Sequence, residues 1–247
     1  MTTLINFRSL AFASALLTGS AALSQAVIIT TIDDGYVRDG QPDTVQGGGI
    51  SEDLRVRSDN ATNNDNVRKA YLKFDLTGLN ADLNAEATFT ATISFRAANQ
   101  NGNRTFYFYG LNSGFTPTGS ELGTDWDQTA LTWNNAPGND RTTNVDTGFD
   151  ASTTTLIEAF DNQYNSNVGK VYTVTIASLG DFVQADNTVT LMISWSDTTE
   201  YGFGSRENPT TAYQPTLEFA TVPEPSDFAL IAAAMGGAVI LLRRRRA

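Results

Sequence analysis

The segment from Glu86 to Ala97 alternates without a break: Ala87, Phe89, Ala91, Ile93 and Phe95 fall at one parity, and Thr88, Thr90, Thr92, Ser94 and Arg96 at the other. Successive side chains of a strand point to opposite faces, so this period of two predicts a strand with one buried face and one wet face. The same pattern recurs at 54–57, 71–76, 104–111, 170–176 and 189–195, with loops rich in Asn, Asp, Gly and Thr between, notably 58–66 and 99–103. Only 177–184 reads as helical, and no internal repeat is visible. Many short patterned strands joined by turn-rich connections predict an all-β fold, an antiparallel β-sandwich, with a jelly roll the expected version at this size.

The two ends read differently from the middle. Met1 to Ala26 carries one basic residue, Arg8, then the apolar run Leu10 to Leu17, then small residues finishing in Ser24-Gln25-Ala26. That order predicts a secretory signal peptide over 1–26, cleaved after Ala26; the alternative is a buried N-terminal helix. At the other end Val222-Pro223-Glu224-Pro225 precedes the uncharged stretch Phe228 to Leu242, which four arginines, Arg243, Arg244, Arg245 and Arg246, close off. As a helix the stretch would reach about 22 Å, against a hydrocarbon core of about 30 Å, and it spans only if flanking residues are drawn in or the bilayer thins. Arginines beside such a segment stay cytoplasmic, which places the chain before Pro223 outside.

This C-terminal order, covering 222–247, closely resembles the PEP-CTERM sorting signal of bacteria that make extracellular polysaccharide. The resemblance implies an exosortase-type membrane transpeptidase as partner and transient inner-membrane anchoring through 228–242. Cleavage near Pro223-Glu224-Pro225 would follow, with delivery to the cell surface or extracellular matrix.

Between the two ends, residues 27–221 carry 11 basic and 25 acidic residues, a formal charge of −14, which argues against nucleic acid as a partner. The chain has no cysteine, so the fold uses no disulfide. It has no histidine, which removes a Ser-His-Asp triad, the usual catalytic zinc sites and imidazole acid–base chemistry.

The segments Asp34-Gly-Tyr-Val-Arg38, Leu54-Arg-Val-Arg57, Ala70-Tyr-Leu-Lys-Phe-Asp-Leu76, Asp125-Trp126, Leu131-Thr-Trp-Asn-Asn-Ala-Pro137, Ser205-Arg-Glu207 and Gln214-Pro-Thr-Leu217 occur in this order. The series resembles DNRLRE-type domains, β-sandwich modules grouped with an alginate-binding carbohydrate-binding family, and spans 27–221. The hexapeptide that names the group is absent, and Gln128 stands where a Glu often follows the tryptophan. The resemblance implies that Trp126 and Trp133 are structural and close a long loop over the sandwich.

Parity singles out candidate ligand residues. If Leu54, Val56, Leu72 and Phe74 point inward, then Arg55, Arg57, Tyr71, Lys73 and Asp75 point outward. On adjacent strands these cations and the tyrosine would form a cradle for an acidic extracellular polysaccharide, since arginine holds a carboxylate through two hydrogen bonds. The alternative is cross-strand pairing of Arg55, Arg57 and Lys73 with Asp53, Asp75 or Glu52. Tyr107 and Tyr109, opposite in parity to Phe106 and Phe108, form a second candidate surface for stacking on sugars, or else pack in the core.

Carboxylates gather at Asp33, Asp34, Asp39 and Asp43, at 59–65, and at Asp125 and Asp127, none in an EF-hand pattern. Solvated acidic loops are the default, and a structural Ca2+ at Asp34 and Glu207 is the metal hypothesis. No catalytic residues are assigned: Asp125 with Asp127 could serve glycoside hydrolysis only if a pocket surrounded them. The expectation is therefore a non-catalytic, exported module that binds polysaccharide, with a purely structural or adhesive matrix protein as the first alternative and a polysaccharide-degrading enzyme as the second.

Overall fold

The computed structural model of the protein describes residues 25–59, 66–97, 104–142, 148–161 and 167–222. Among them the chain forms β1 (Gln25–Thr30), β2 (Asp33–Arg38), β3 (Asp53–Val56), β4 (Arg68–Asp75), β5 (Ala87–Arg96), β6 (Phe106–Leu111), β7 (Thr154–Phe160), β8 (Val171–Ile176), β9 (Thr188–Trp195), β10 (Tyr201–Gly204) and β11 (Thr216–Thr221). All pairings between these strands are antiparallel. The first sheet runs β1-β11-β5-β10-β3, with β8 on the other edge of β5, and the second runs β2-β4-β9-β6-β7. From β2 to β6 the chain changes sheet at every connection, the manner of winding expected of a jelly roll.

Period-two patterning explains the core. Leu54 and Val56 of β3, Ala70, Leu72 and Phe74 of β4, and Ala87, Phe89, Ala91 and Ile93 of β5 meet between the sheets. Phe106 sits at one end of this layer, stacked on Trp195 at 4.0 Å between centroids and edge-on to Tyr172, Tyr201 and Phe203 at 5.2–5.3 Å. Such rings bury large apolar area and fix each other's orientation.

A second apolar cluster lies on the outer side of the second sheet. Val37, Tyr71, Leu111 and Met192 project from β2, β4, β6 and β9, and Trp126, Leu131, Trp133, Ala136 and Phe149 of the segment between β6 and β7 cover them. The tryptophans are therefore structural, as the resemblance implied. Trp126 donates its indole N–H to Thr190 Oγ1 at 3.0 Å. The Thr132-Trp133-Asn134-Asn135-Ala136 stretch is a self-bonded turn: Asn135 Oδ1 accepts from the Thr132 N–H at 2.7 Å, and Asn135 Nδ2 donates to the Ala130 carbonyl at 2.9 Å.

The outer face of β4 ties this cover down. Lys73 Nζ donates to the Trp126 carbonyl and pairs with Asp33 at 3.0 Å. Lys69 Nζ donates to Asn139 Oδ1 at 2.8 Å and to the carbonyls of Asp140 and Gly148, and lies over the Trp133 and Phe149 rings at 4.7 and 5.0 Å.

The helix expected over 177–184 is a single 3-10 turn, Leu179–Asp181. Leu179 and Phe182 turn into the sandwich core, and Val183 bridges to Val189, which stops the coil. Among the described residues no helix is long and apolar enough to cross a membrane. The expected signal peptide and sorting segment lie outside the described residues except for Gln25, Ala26 and Val222; Gln25 and Ala26 pair with Thr221 and Ala220, so cleavage after Ala26 would leave β1 starting at Val27.

Lys73→Met leaves the Trp126 carbonyl and the Asp33 carboxylate without their buried donor. It should lower unfolding free energy by about 2–4 kcal/mol, whereas Arg55→Ala, at a half-exposed position, should lower it by about 1 kcal/mol or less; urea denaturation of both variants checks the contrast.

Candidate functional site

The polar face expected from β3 and β4 does not assemble, because the two strands belong to different sheets. Tyr71 is 0% exposed and Lys73 4% exposed, both beneath the covering segment, so neither can touch a polymer. The reason lies in the second cluster: the outward parity of Tyr71 and Lys73 is correct, yet that face is itself roofed. Burial, and next Glu121, push the Tyr71 phenol well above its ordinary pKa. Its hydroxyl has no hydrogen-bond partner.

Arg55 and Arg57 keep their place at the surface but acquire different neighbours. An isolated bridge sets Arg57 opposite Arg68, and the β2–β4 register sets Arg38 opposite Arg68. Three guanidinium-bearing residues thus stand in one row at a corner where the two sheets meet. Burial lowers the Arg68 pKa, Glu200 draws it back up, and Arg38 and Arg57 lower it further, as expected of like charges held close.

Arg55 joins the row through Glu200, whose Oε1 accepts from Arg55 Nη1 at 2.6 Å while Oε2 pairs with Arg68. On its other side Arg55 meets Asp53 at 3.5 Å and lies over the Phe95 ring at 4.1 Å. Gly202 between them makes this stacking possible, since a Cβ there would come within 3.0 Å of Phe95 Cβ and 3.1 Å of Asp53 Cβ. Arg55 meets Asp53 along β3 and not across strands, and the cross-strand ion pair of Lys73 is with Asp33, opposite it on β2. Arg57 makes no ion pair among the described residues, and its Nε has no acceptor. Arg38 donates to Asn66 Oδ1 at 2.9 Å, so the corner brings four guanidinium-bearing residues together, with Asp53 and Glu200 the carboxylates that Arg55 and Arg68 meet.

Tyr107 and Tyr109 point away from Phe106 and Phe108 as parity requires, their rings 6.5 Å apart and inclined at 43°. Both are half-buried, and Tyr109 packs edge-on to Phe149 at 5.0 Å, which commits it to the second cluster. Tyr107 alone of the pair keeps an uncommitted ring edge on this face.

Asp34 and Glu207 are brought together, with Gln128 between them. Asp34 is 2% exposed; its Oδ2 accepts from Thr31 Oγ1 and from the Arg206 N–H, both at 2.8 Å. Gln128 Oε1 accepts from the Asp34 N–H at 3.3 Å, and Gln128 Nε2 donates to Glu207 Oε1 at 3.2 Å. Arg206 Nε also reaches Glu207 Oε1, at 2.7 Å. This leaves Asp34 Oδ1 and Glu207 Oε2 buried without a hydrogen-bond partner. Two orphaned carboxylate oxygens and an amide oxygen are hard donors that suit Ca2+, with carbonyls and water completing its six to eight ligands. Among the described residues no group of three or more carboxylates could hold a metal by itself. Burial is the largest influence on Asp34, raising its pKa from 3.8 to about 7 against the hydrogen bonds from Arg206 and Thr31, with Glu207 adding to the rise.

Asp125 and Asp127 flank the buried Trp126 but are themselves exposed. Asp127 Oδ1 accepts from the Thr129 hydroxyl and N–H, and the Thr129 side chain is the first cause of a lowered pKa, the opposite of what a general acid needs.

An antiparallel sandwich that presents a cluster of guanidiniums beside an aromatic ring is suited to holding sugar chains, and the chain is a carbohydrate-binding module. It belongs to carbohydrate-binding module family 96, whose family model matches residues 25–221, almost the whole of the described fold. No curated protein matches the sequence. A similar solved structure is that of the N-terminal endo-1,4-β-D-xylanase 10B of Clostridium thermocellum, comprising its family 22 carbohydrate-binding and family 10 hydrolase modules complexed with xylohexaose. It is 13% identical with a TM-score of 0.32, and the match covers 82% of this chain and 30% of that one.

A group whose folded pKa is raised binds its proton more tightly when native, so its contribution to stability is complete below the unfolded value and is lost as pH rises through about 7. With chelator present, the melting temperature should fall as pH rises from ~4 to ~7 and level off above that. Asp34→Asn should flatten that fall, and added CaCl2 should reverse it in the parent protein but not in the variant; calorimetry across pH reads all three.

Proposed function

We propose that the module binds an acidic extracellular polysaccharide at the corner formed by Arg38, Arg55, Arg57 and Arg68, and that it does so without catalysis. The observation that carries this reading is the register that sets Arg38, Arg68 and Arg57 side by side in a domain whose formal charge is otherwise strongly negative. A polyanion approaching most of this surface meets repulsion, and the corner is where attraction and bidentate geometry coincide. Phe95, under Arg55, adds a rigid apolar floor that keeps one guanidinium in place.

Affinity electrophoresis of the parent protein in gels containing alginate, polygalacturonate or a neutral glucan tests the reading. Retardation by an acidic polymer and not by the glucan is expected, and Arg57→Ala should weaken it by about tenfold or more, the worth of one charge-assisted hydrogen bond. Equal retardation of parent and variant would overturn the assignment of the corner.

The same reading extends to the chain's delivery. The resemblance of 222–247 to a sorting signal supports export, transient anchoring through 228–242, and processing near Pro223-Glu224-Pro225 by an exosortase-type transpeptidase. Mass spectrometry of the extracellular form should find no peptide containing Arg243 to Ala247; recovery of that tail would leave only a membrane anchor.

A further inference from the structure

Glu200 is held in the arginine corner between Arg55 and Arg68. Its backbone carbonyl accepts from the Ala97 N–H at 3.0 Å, which fixes the residue immediately before β10. Each of its two carboxylate oxygens engages a different guanidinium, Arg55 at 2.6 Å and Arg68. The Glu200 side chain is only 13% exposed, so the contact is a settled one and not a mobile surface pair. Arg55 is held from the other side by Phe95 and Asp53, and Arg68 by its place at the start of β4. Guanidiniums that hold one carboxylate by charge-assisted hydrogen bonds can hold another of the same chemistry, such as that of an acidic sugar.

We propose that Glu200 is a built-in stand-in for the sugar carboxylate, which sets how densely charged a glycan must be to bind. The proposal rests on the reading of the corner given above. An arriving carboxylate finds Arg57 without an ion pair among the described residues, but it engages Arg55 and Arg68 only by sharing or displacing Glu200. Because Glu200 is tethered, it competes at an effective concentration on the order of millimolar or above. A single uronate cannot match that, whereas a chain carrying a carboxylate on every residue presents several competitors at once. Glu200 thereby favours polyuronates over sparsely charged glycans, and it holds absolute affinity below what four guanidiniums could give.

The test compares parent, Glu200→Gln, Glu200→Asp and Arg57→Ala by titration calorimetry against alginate oligosaccharide and against free glucuronate, at several salt concentrations. Glu200→Gln should bind alginate oligosaccharide about fivefold more tightly or better. Its plot of log affinity against log salt should steepen by about one unit. Its preference for the oligosaccharide over glucuronate should shrink. Glu200→Asp, which keeps the charge on a shorter arm, should fall between parent and Glu200→Gln and covers the case in which the amide variant folds poorly. If Arg57→Ala weakens binding while both Glu200 variants bind no more tightly than the parent, the stand-in role is wrong and the corner survives. If Arg57→Ala binds as well as the parent, or no protein binds the oligosaccharide, the corner itself is wrong and the role of Glu200 falls with it.

Discussion

Two buried ammonium groups on β4 hold the rest of this structure in place. The segment between β6 and β7 is irregular, so its carbonyls lack the ladder partners that strands provide, and a buried carbonyl without a donor is costly. Lys69 and Lys73 supply those donors, to Trp126, Asp140 and Gly148, and the carbonyls and rings in turn satisfy charges that could not otherwise be buried. The result covers Val37, Tyr71, Leu111 and Met192, which would otherwise leave an apolar outer face on the second sheet. The same cover carries Gln128 to its position between Asp34 and Glu207, so the candidate cation site depends on these lysines as well.

Charge is compensated differently in the two polar regions. At the corner, Arg55 and Arg68 share the Glu200 carboxylate and Arg55 also meets Asp53, on a domain whose formal charge is strongly negative. At Asp34 and Glu207 one guanidinium, Arg206, serves Glu207, and two buried oxygens are left without a donor. An uncompensated buried carboxylate binds either a proton or a cation, which is why the first raises its pKa and the second suits it. The corner offers donors to an anion, and the acid pair offers acceptors to a cation, so the two are chemically distinct sites on one scaffold.

The strands with a regular period were legible because alternation is a local property. β4, β5, β6, β8 and β9 fall where the pattern places them, and the inward parity of Leu54, Val56, Leu72 and Phe74 holds. β1, β7 and β10 carried little signal. β7 reads Thr-Thr-Leu-Ile-Glu-Ala-Phe at a sheet edge, where an extra residue of its own, Ile157, opposite the Phe108–Tyr109 step breaks the register and neither face is fully buried. β10 is four residues long with two glycines, and Gly202 is there to admit Arg55 over Phe95 rather than to alternate.

What the sequence determined by itself was the all-β fold and the outward parity of Arg55, Arg57, Tyr71 and Lys73, while Asp34 with Glu207 entered only as a metal hypothesis. What lay above each outward face was decided only in three dimensions. Tyr71 and Lys73 are roofed by residues more than fifty positions away, while Arg55 and Arg57 gain Arg38, Arg68 and Glu200 from three other parts of the chain. The physical reason is that parity along a strand is fixed by backbone geometry within a few residues, whereas the neighbours of a side chain depend on which strands pair and where the long connection packs.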